Sequence, residues 1–423
     1  MSDQVNREVR NLNALLDVAK ALGAEMQLDK LLPIILSKTT EVMGAERSSL
    51  FIYDPHTEEL WSIVAEGLES KQIRFPLGLG IAGDVAKTRK TANVVDAYQD
   101  ARFNPEFDKE TNFRTRSVLC MPMLNNEGGL MGVIQVLNRR SGGTFDHQDE
   151  SLLEALAIQA GLAIHRAHLL EAFVEKQRIQ ESLKLAADIQ MAMLPKEFPA
   201  FPGRDEFELF ARIIPAKQVG GDFYDFFLID EDHLCLVIGD VSGKGIPAAL
   251  FMAVAKTYVA ACTIPGRAPS EILAQVNDEL CKESAHGMFC TIFYGVLNTK
   301  TGELEYSNGG HNPPFLVRQD GSCEPIEGTK GIALGAMEKM EFRVKKLTLN
   351  KGDTIFLYTD GVNEAMDAGE NEYSYERLQE YLKSTSGRSV EDAVNGCLDD
   401  VSDFVKNANQ SDDITVLMVR YNG

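Results

Sequence analysis

The chain has 423 residues, 44% of them hydrophobic and 25% charged, a globular composition that fits two or three domains and excludes a disordered polymer. With 42 Lys and Arg against 63 Asp and Glu, the formal net charge is −21, which opposes non-specific binding to nucleic acid or to anionic membrane surfaces. The seven cysteines are odd in number and form no C-x-x-C pair, as expected of reduced thiols in a cytosol.

The N-terminus MSDQVNREVRNLNALL has no basic start followed by an apolar core, and every apolar segment is interrupted by charge before the roughly 20 residues a membrane helix needs. A soluble, cytoplasmic protein is expected. Residues 1 to about 45 predict helix, because Leu12, Leu15, Leu16, Ala19 and Leu22 recur at three and four, and Leu31, Leu32, Ile35 and Leu36 begin a second amphipathic run. Short strands follow in SSLFIYDP, ELWSIVAEG, SVLCMPMLN and LMGVIQVLN, with NNEGG as the turn of a hairpin. The first domain is therefore expected to be α+β, helices beside an antiparallel sheet.

From Asp149 to Met193 the sequence predicts one long helix without proline, weakly interrupted by Gly161. Leu152, Leu156, Ala163, Leu170, Val174, Leu183, Ile189 and Met193 lie on or near one stripe. A helix of this length cannot bury its stripe alone and suits a parallel dimer coiled coil, although the repeat is not a strict heptad. Pro195, Pro199 and Pro202 end it and mark a domain boundary. Beyond them the strands FELFARIIPA, DFYDFFLID and HLCLVIGDVS precede helices near 246 to 262 and 269 to 284. FCTIFYGVLN, ELEYSNG, PPFLVR, EFRVKKLTL and DTIFLYTDG are further strands, followed by helical stretches at about 374 to 407 and a last strand, DITVLMVRY. This order implies a β-sandwich covered by helices.

Four acidic sites in this second half share one local design, an apolar strand with an aspartate at its tip and a glycine or second acid beside it. They are Asp222 in QVGGDFYDFF, Asp240 in LVIGDVSGKG, Asp360 in FLYTDGVNEA and Asp412 in QSDDITVLMV. Strand tips are rigid enough to gather carboxylates from distant parts of a chain around one point. Clustered carboxylates repel unless a cation lies between them, and an all-oxygen shell suits Mg²⁺ or Mn²⁺. Two such ions bind a phosphate and acidify a bridging water.

At these residues the chain resembles the bacterial branch of the PPM, or PP2C-like, phosphatases, the SpoIIE/RsbU group. The matching motifs, in order, are AADIQMAMLP, PAKQVGGDFYDFF, IGDVSGKGIPAAL, SNGGHNPP, YTDGVNEA and DDITVLMVR, over about residues 180 to 421. The resemblance implies an α/β/β/α sandwich and metal ligands at Asp222, Asp240, Asp360 and Asp412, with the Val241 carbonyl as a further ligand. Asp413 is implied as a supporting partner or alternate ligand. It also implies two Mn²⁺ or Mg²⁺ ions, no covalent intermediate, and phosphoserine or phosphothreonine protein substrates, commonly anti-sigma-factor antagonists of the STAS fold. Ser242 then reads as a turn residue. Lys217 and Lys244 are candidate phosphate contacts or surface charges, His311 is a proton donor or a loop histidine bonded to backbone, and the catalytic acid is unassigned.

Residues from about 10 to 165 resemble a GAF domain, a small-molecule sensor module, through GAERSSLFIYD, GLGIAGDVAKTRKTANVVD, FRTRSVLCMPML and MGVIQVLNRR. VLNRRSGGTFDHQDE places Asn138, Arg139, Phe145, Asp149 and Glu150 at the spacing of the N-K-F-D-E pattern of cyclic-nucleotide-binding members, with Arg for Lys. The resemblance implies an Arg139 to Asp149 ion pair that closes the fold. The domain's role is open between binding cyclic AMP or GMP, binding another small ligand, and dimerisation alone. His56 and Cys120 carry no signal for haem or bilin attachment, and the polar segment QDARFNPEFDKETNFRTR suits a lid.

The expected organisation is a GAF sensor over 1–165, a coiled-coil signalling helix over 150–195 and a phosphatase domain over 196–423, in a homodimer. The rival is a GAF dimer carrying an inactive phosphatase-like domain as a docking surface; four intact acidic positions argue against it. A cyclic-nucleotide phosphodiesterase is disfavoured, because the seven histidines show no H-x-x-x-H spacing.

Overall fold

The computed structural model describes residues 2–62, 73–283, 287–406 and 408–423. The chain divides into two compact units, 1–178 and 179–423.

In the first unit α1 (Ser2–Ala24) and α2 (Leu28–Val42) precede β1 (Ala45–Asp54), β2 (Glu59–Ser62) and β3 (Ile73–Pro76). Then come α3 (Gly80–Thr88), β4 (Ala92–Val94), α4 (Glu106–Thr111), β5 (Val118–Leu124) and β6 (Leu130–Arg139), and α5 (His147–Ala192) runs on into the second unit. Residues 63–67 of the predicted ELWSIVAEG strand lie outside the described residues, as do positions 284 and 407 at the predicted ends of two helices. The six strands form one antiparallel sheet in the order β3-β2-β1-β6-β5-β4. Strand period 2 divides its side chains between two cores. Leu119, Met121 and Met123 of β5 pack with α1, α2 and the first turns of α5, whereas Val118 and Cys120 pack against Ile81, Val85 and Ala86 of α3. Gly161 does more than weaken the helix: a Cβ there would lie 2.4 Å from the Leu124 carbonyl oxygen, so the missing side chain lets α5 lie against the end of β5.

In the second unit the strands are β7 (Phe207–Ile214), β8 (Phe223–Leu228), β9 (His233–Val241), β10 (Cys290–Asn298), β11 (Glu303–Gly309), β12 (Phe315–Val317), β13 (Cys323–Pro325), β14 (Lys345–Thr348), β15 (Thr354–Tyr358) and β16 (Ile414–Tyr421). The helices are α6 (Ile246–Cys262), α7 (Pro269–Glu283), α8 (Asp360–Asn363), α9 (Tyr375–Lys383) and α10 (Val390–Val405). Two antiparallel sheets, β14-β11-β10-β9-β8 and β13-β12-β15-β16-β7, face each other, as two sheets with apolar inner faces must. Leu417 and Val419 of β16 join the core that α6 and α7 share with both sheets. Val416 and Met418 point the other way, into the core beneath α9 and α10. Both faces of β16 are thus covered, which is why DITVLMVRY reads as a continuous apolar run although its neighbours are antiparallel. The result is an α/β/β/α sandwich.

Candidate active site

The four aspartates come together at one rim of this sandwich. Asp222 directly precedes β8 and Asp240 is the penultimate residue of β9, its antiparallel neighbour, with Phe223 opposite Gly239. Asp360 opens α8 just after β15, and Asp412 stands two residues before β16, with Tyr358 opposite Val416. One pair of strand ends therefore comes from each sheet.

Asp222 joins the two pairs. It is only 2% exposed, and its Oδ2 accepts hydrogen bonds from the hydroxyls of Thr359 at 2.7 Å and Thr415 at 2.6 Å, both at strand ends of the facing sheet. Asp413 holds the loop that presents Asp222. Its Oδ1 accepts from the Ala216 N–H and its Oδ2 from the Gly221 N–H, each at 2.8 Å. A Cβ on Gly220 would lie 1.9 Å from Asp413 Oδ2, and one on Gly361 would lie 1.9 Å from the Asp413 carbonyl oxygen. The glycines beside these acids are the condition for packing backbone this close to carboxylate.

The electrostatics follow from burial. Asp222 is pushed well above the ordinary carboxylate range, first by desolvation and then by the charge of Asp240. Desolvation raises Asp240 likewise, followed by the charges of Asp360 and Asp412, and Asp360 is raised by burial and by Asp412. Like charges crowded out of water in this way fit a hard cation, and the donor set is carboxylate oxygen throughout. Asp412 already holds a substitute cation, the Lys244 ammonium, at 2.7 Å from its Oδ2. Among the described residues no three acidic, histidine or cysteine side chains converge as a ready metal cage. The donors fit Mg²⁺ or Mn²⁺ in chemistry, as an open cluster with one member turned onto a lysine and another, Asp413, onto backbone amides.

The remaining candidates separate cleanly. His311 is 6% exposed and bridges β10 to β15: its Nε2–H donates to the Tyr358 carbonyl at 3.1 Å, which leaves Nδ1 to accept from the Thr291 hydroxyl at 2.9 Å. Burial lowers its pKa to about 4, so it is a neutral brace. Ser242, in the bend after β9, pairs with Phe289 next to β10: its Oγ accepts from the Phe289 N–H at 3.0 Å and its N–H donates to the Phe289 carbonyl at 2.9 Å. Lys217 is exposed on its loop.

Three groups of contacts were not anticipated from sequence. The two threonine hydroxyls on Asp222 stand inside the YTDG and DDITV motifs beside their more conspicuous aspartates. A partly buried ion pair, Lys256 Nζ to Asp225 Oδ2 at 2.5 Å, ties α6 to β8. Gln190, near the end of α5, donates its Nε2–H to the Gly220 carbonyl at 2.7 Å and accepts from the Gly220 N–H at 3.2 Å, so AADIQMAMLP grips the loop that carries Asp222.

The first unit has its own concavity, a cavity of about 180 Å³ walled by Phe51, Phe75, Phe103 and Phe113, with Arg47 and Asp108 among its polar lining. The Arg47 guanidinium lies 4.2 Å from the Phe113 ring centre. Asp108 is occupied by Tyr98 Oη–H at 3.0 Å and by the N–H and hydroxyl of Thr115, each at 2.7 Å. Phe103, Asn104, Asp108, Phe113 and Thr115 all belong to the polar segment expected to cover such a pocket. Arg139 Nη1 stands 3.3 Å from Asp149 Oδ2, the brace expected from the N-R-F-D-E spacing. His56 lies in an exposed turn and Cys120 is buried in the sheet.

Known proteins resemble the chain in both halves. The family model of stage II sporulation protein E (SpoIIE) matches residues 230–422, and that of the GAF domain matches residues 27–164. Phosphoserine phosphatase RsbU of Bacillus subtilis (strain 168) is 30% identical over 278 residues, which are 65% of this chain and 79% of that protein. The chain belongs to the SpoIIE/RsbU family of PP2C-like phosphatases. Protein IcfG of Synechocystis sp. is 30% identical over 269 residues, 57% of this chain but only 41% of that protein. Probable 3′,5′-cyclic phosphodiesterase pde-5 of Caenorhabditis elegans is 30% identical over 202 residues, 44% of this chain and 27% of that protein. In fold, the SiaA-PP2C domain of Pseudomonas aeruginosa superposes with a TM-score of 0.51 at 21% identity, covering 59% of this chain and 99% of that domain. Among the described residues no helix is long and apolar enough to cross a membrane.

Proposed function

We propose that this member of the SpoIIE/RsbU family is a metal-dependent protein phosphatase that hydrolyses a phosphoserine or phosphothreonine protein under the control of its GAF domain. The observation that carries this reading is the rim itself: Asp222, Asp240, Asp360 and Asp412 at four strand ends, with Asp222 locked across both sheets by Thr359 and Thr415. Asp222, Asp240, Asp360 and Asp412, with the Val241 carbonyl, would hold two Mn²⁺ or Mg²⁺ ions, and Asp413 would keep the Asp222 loop in place. Such ions supply a phosphate clamp and an acidified water. The carboxylates position charge and need not exchange protons themselves, the threonine hydroxyls fix the Asp222 rotamer, and neutral His311 ties β10 to β15 across the two sheets. The substrate we propose is a small anti-sigma-factor antagonist of the STAS fold, in a cytoplasmic partner-switching pathway.

Regulation is proposed to begin in the aromatic cavity of the first unit, which suits a cyclic nucleotide or another small planar ligand, and to pass along α5 in a homodimer. The support for dimerisation is the number of apolar side chains that helix leaves in water: Leu169, Phe173, Ile179, Leu185 and Ile189 are each more than half exposed, and a second copy would cover part of them. The test is hydrolysis of p-nitrophenyl phosphate and of a phosphoserine protein with Mn²⁺, Mg²⁺ or EDTA, beside Asp240→Asn and Asp360→Asn. Metal-dependent turnover lost in both variants is expected. Turnover that survives both substitutions would move the active site elsewhere, and absence of both turnover and metal binding would leave the docking-surface reading.

A further inference from the structure

Among the described residues Lys244 is the one basic side chain in ion-pair contact with the carboxylate rim. It leaves β9 through Ser242 and Gly243 and reaches across to the loop before β16, where Nζ lies 2.7 Å from Asp412 Oδ2 and donates to the Ser411 carbonyl at 2.7 Å. The lysine thus bridges an end of one sheet to an end of the other, over the mouth of the aspartate cluster.

We propose that Lys244 is an exchangeable cation of this rim: it neutralises Asp412 while that carboxylate is metal-free, and moves onto the phosphoryl oxygens of the substrate once a divalent ion takes Asp412. The inference rests on the phosphatase reading above and adds to it a residue that binds the phosphate. Three features support exchange over a fixed strut. The pair is open to water, with side chains 44% and 40% exposed, and ion pairs at that exposure are weak and readily replaced. Both neighbours of Lys244 are glycines in the left-handed region, Gly243 at φ 88° and Gly245 at φ 80°, and a Cβ on either would meet no atom within 4 Å, so nothing packs on the loop beside the lysine. An ammonium and a divalent ion on one carboxylate repel, which favours release of the lysine as the metal binds. The ammonium, on a flexible four-carbon stem, then lies beside the one dianion the site is built to receive.

The experiment uses the full chain as wild type, Lys244→Gln and Lys244→Arg. Mn²⁺ affinity is read by electron paramagnetic resonance of free Mn²⁺, orthophosphate affinity by calorimetry at saturating Mn²⁺, and folding by thermal melting. Lys244→Gln is expected to bind Mn²⁺ about two- to fivefold more tightly, the range set by losing one exposed ion-pair competitor. The same variant should bind orthophosphate on the order of tenfold more weakly, and Lys244→Arg should stay near wild type in both. Opposite signs in one variant are the signature, since a damaged fold weakens both ligands. Unchanged values would make Lys244 a surface charge, weakening of both would make it a strut, and tighter Mn²⁺ with unchanged orthophosphate would remove the phosphate-binding role; each overturns the proposal. Failure of wild type to bind Mn²⁺ or hydrolyse a phosphoserine protein would show in the parent chain, and would overturn the phosphatase reading and this inference together.

Discussion

At the residue scale, the site is organised by hydroxyls and amides that hold acids in place. Asp222 is buried against two threonine hydroxyls, and removing one leaves the carboxylate less fixed and less solvated. Thr415→Val, which keeps the shape, is expected to weaken Mn²⁺ binding and turnover by roughly 10- to 100-fold, as loss of a ligand-orienting hydrogen bond does. Calorimetric titration with Mn²⁺ checks it, and an unchanged affinity would show that Thr359 suffices. His311 makes a prediction of the opposite kind, on stability. Its folded pKa of about 4 lies below its ordinary 6.5, so between those values the unfolded chain takes up a proton that the folded chain refuses. Its contribution is whole above pH 6.5 and declines as pH falls toward 4, by roughly 3 kcal/mol at most. Urea unfolding of wild type and His311→Gln at pH 7.5 and 4.5 should show the difference between them shrinking at the lower pH. The aspartates were legible because each ends an apolar strand beside glycine or a second acid. The threonines were not, because hydroxyls in a strand read as β-formers until a partner across the sandwich is known.

At the scale of elements, close approach explains glycines that look like flaws in the sequence. Gly161 sits mid-helix, where glycine costs about 1 kcal/mol relative to alanine, yet alanine would place its Cβ 2.4 Å from the Leu124 carbonyl oxygen. Gly161→Ala is therefore expected to destabilise the first unit by about 1–3 kcal/mol despite the better helix propensity. Thermal melting decides the sign, and a more stable variant would mean that β5 and α5 separate easily. Gln190 belongs to the same scale. It lies on the half-exposed end of α5, where periodicity gives no reason to single it out, and its two hydrogen bonds to Gly220 connect the end of the helix to the Asp222 loop. Gln190→Ala should lower Mn²⁺ affinity several-fold with little change in overall stability, because the loss of one to two net hydrogen bonds, about 1–2 kcal/mol, falls on the loop itself. Equal affinity in the variant would confine Gln190 to a helix-end role.

At the scale of the molecule, two units with separate cores share α5, whose stretch over 171–182 is exposed at every residue. Covering apolar side chains that this helix exposes to water is favourable, and the proposed second copy would also bring two sensor units together. If the first unit regulates the second, deleting residues 1–175 should change turnover and Mn²⁺ affinity by at least about fivefold, the lower end of ordinary coupling energies. Assays of the deletion beside the full chain check this. Identical rate and affinity in the two would remove the regulatory role of the first unit.

What the sequence determined by itself was whatever is carried by short-range pattern. The α+β first half, the long proline-free helix, the alternating strands, the Arg139 to Asp149 spacing and the four aspartates at strand tips are all local in the chain, as is the motif order that marks the family. What only the tertiary structure decided was which of these residues meet. Thr359 and Thr415 reach Asp222 across 137 and 193 residues, Lys244 reaches Asp412, and His311 is withdrawn into the interior as a neutral brace. Burial and long-range pairing have no signature in neighbouring residues, because they arise only when two sheets close on each other and expel the water between them.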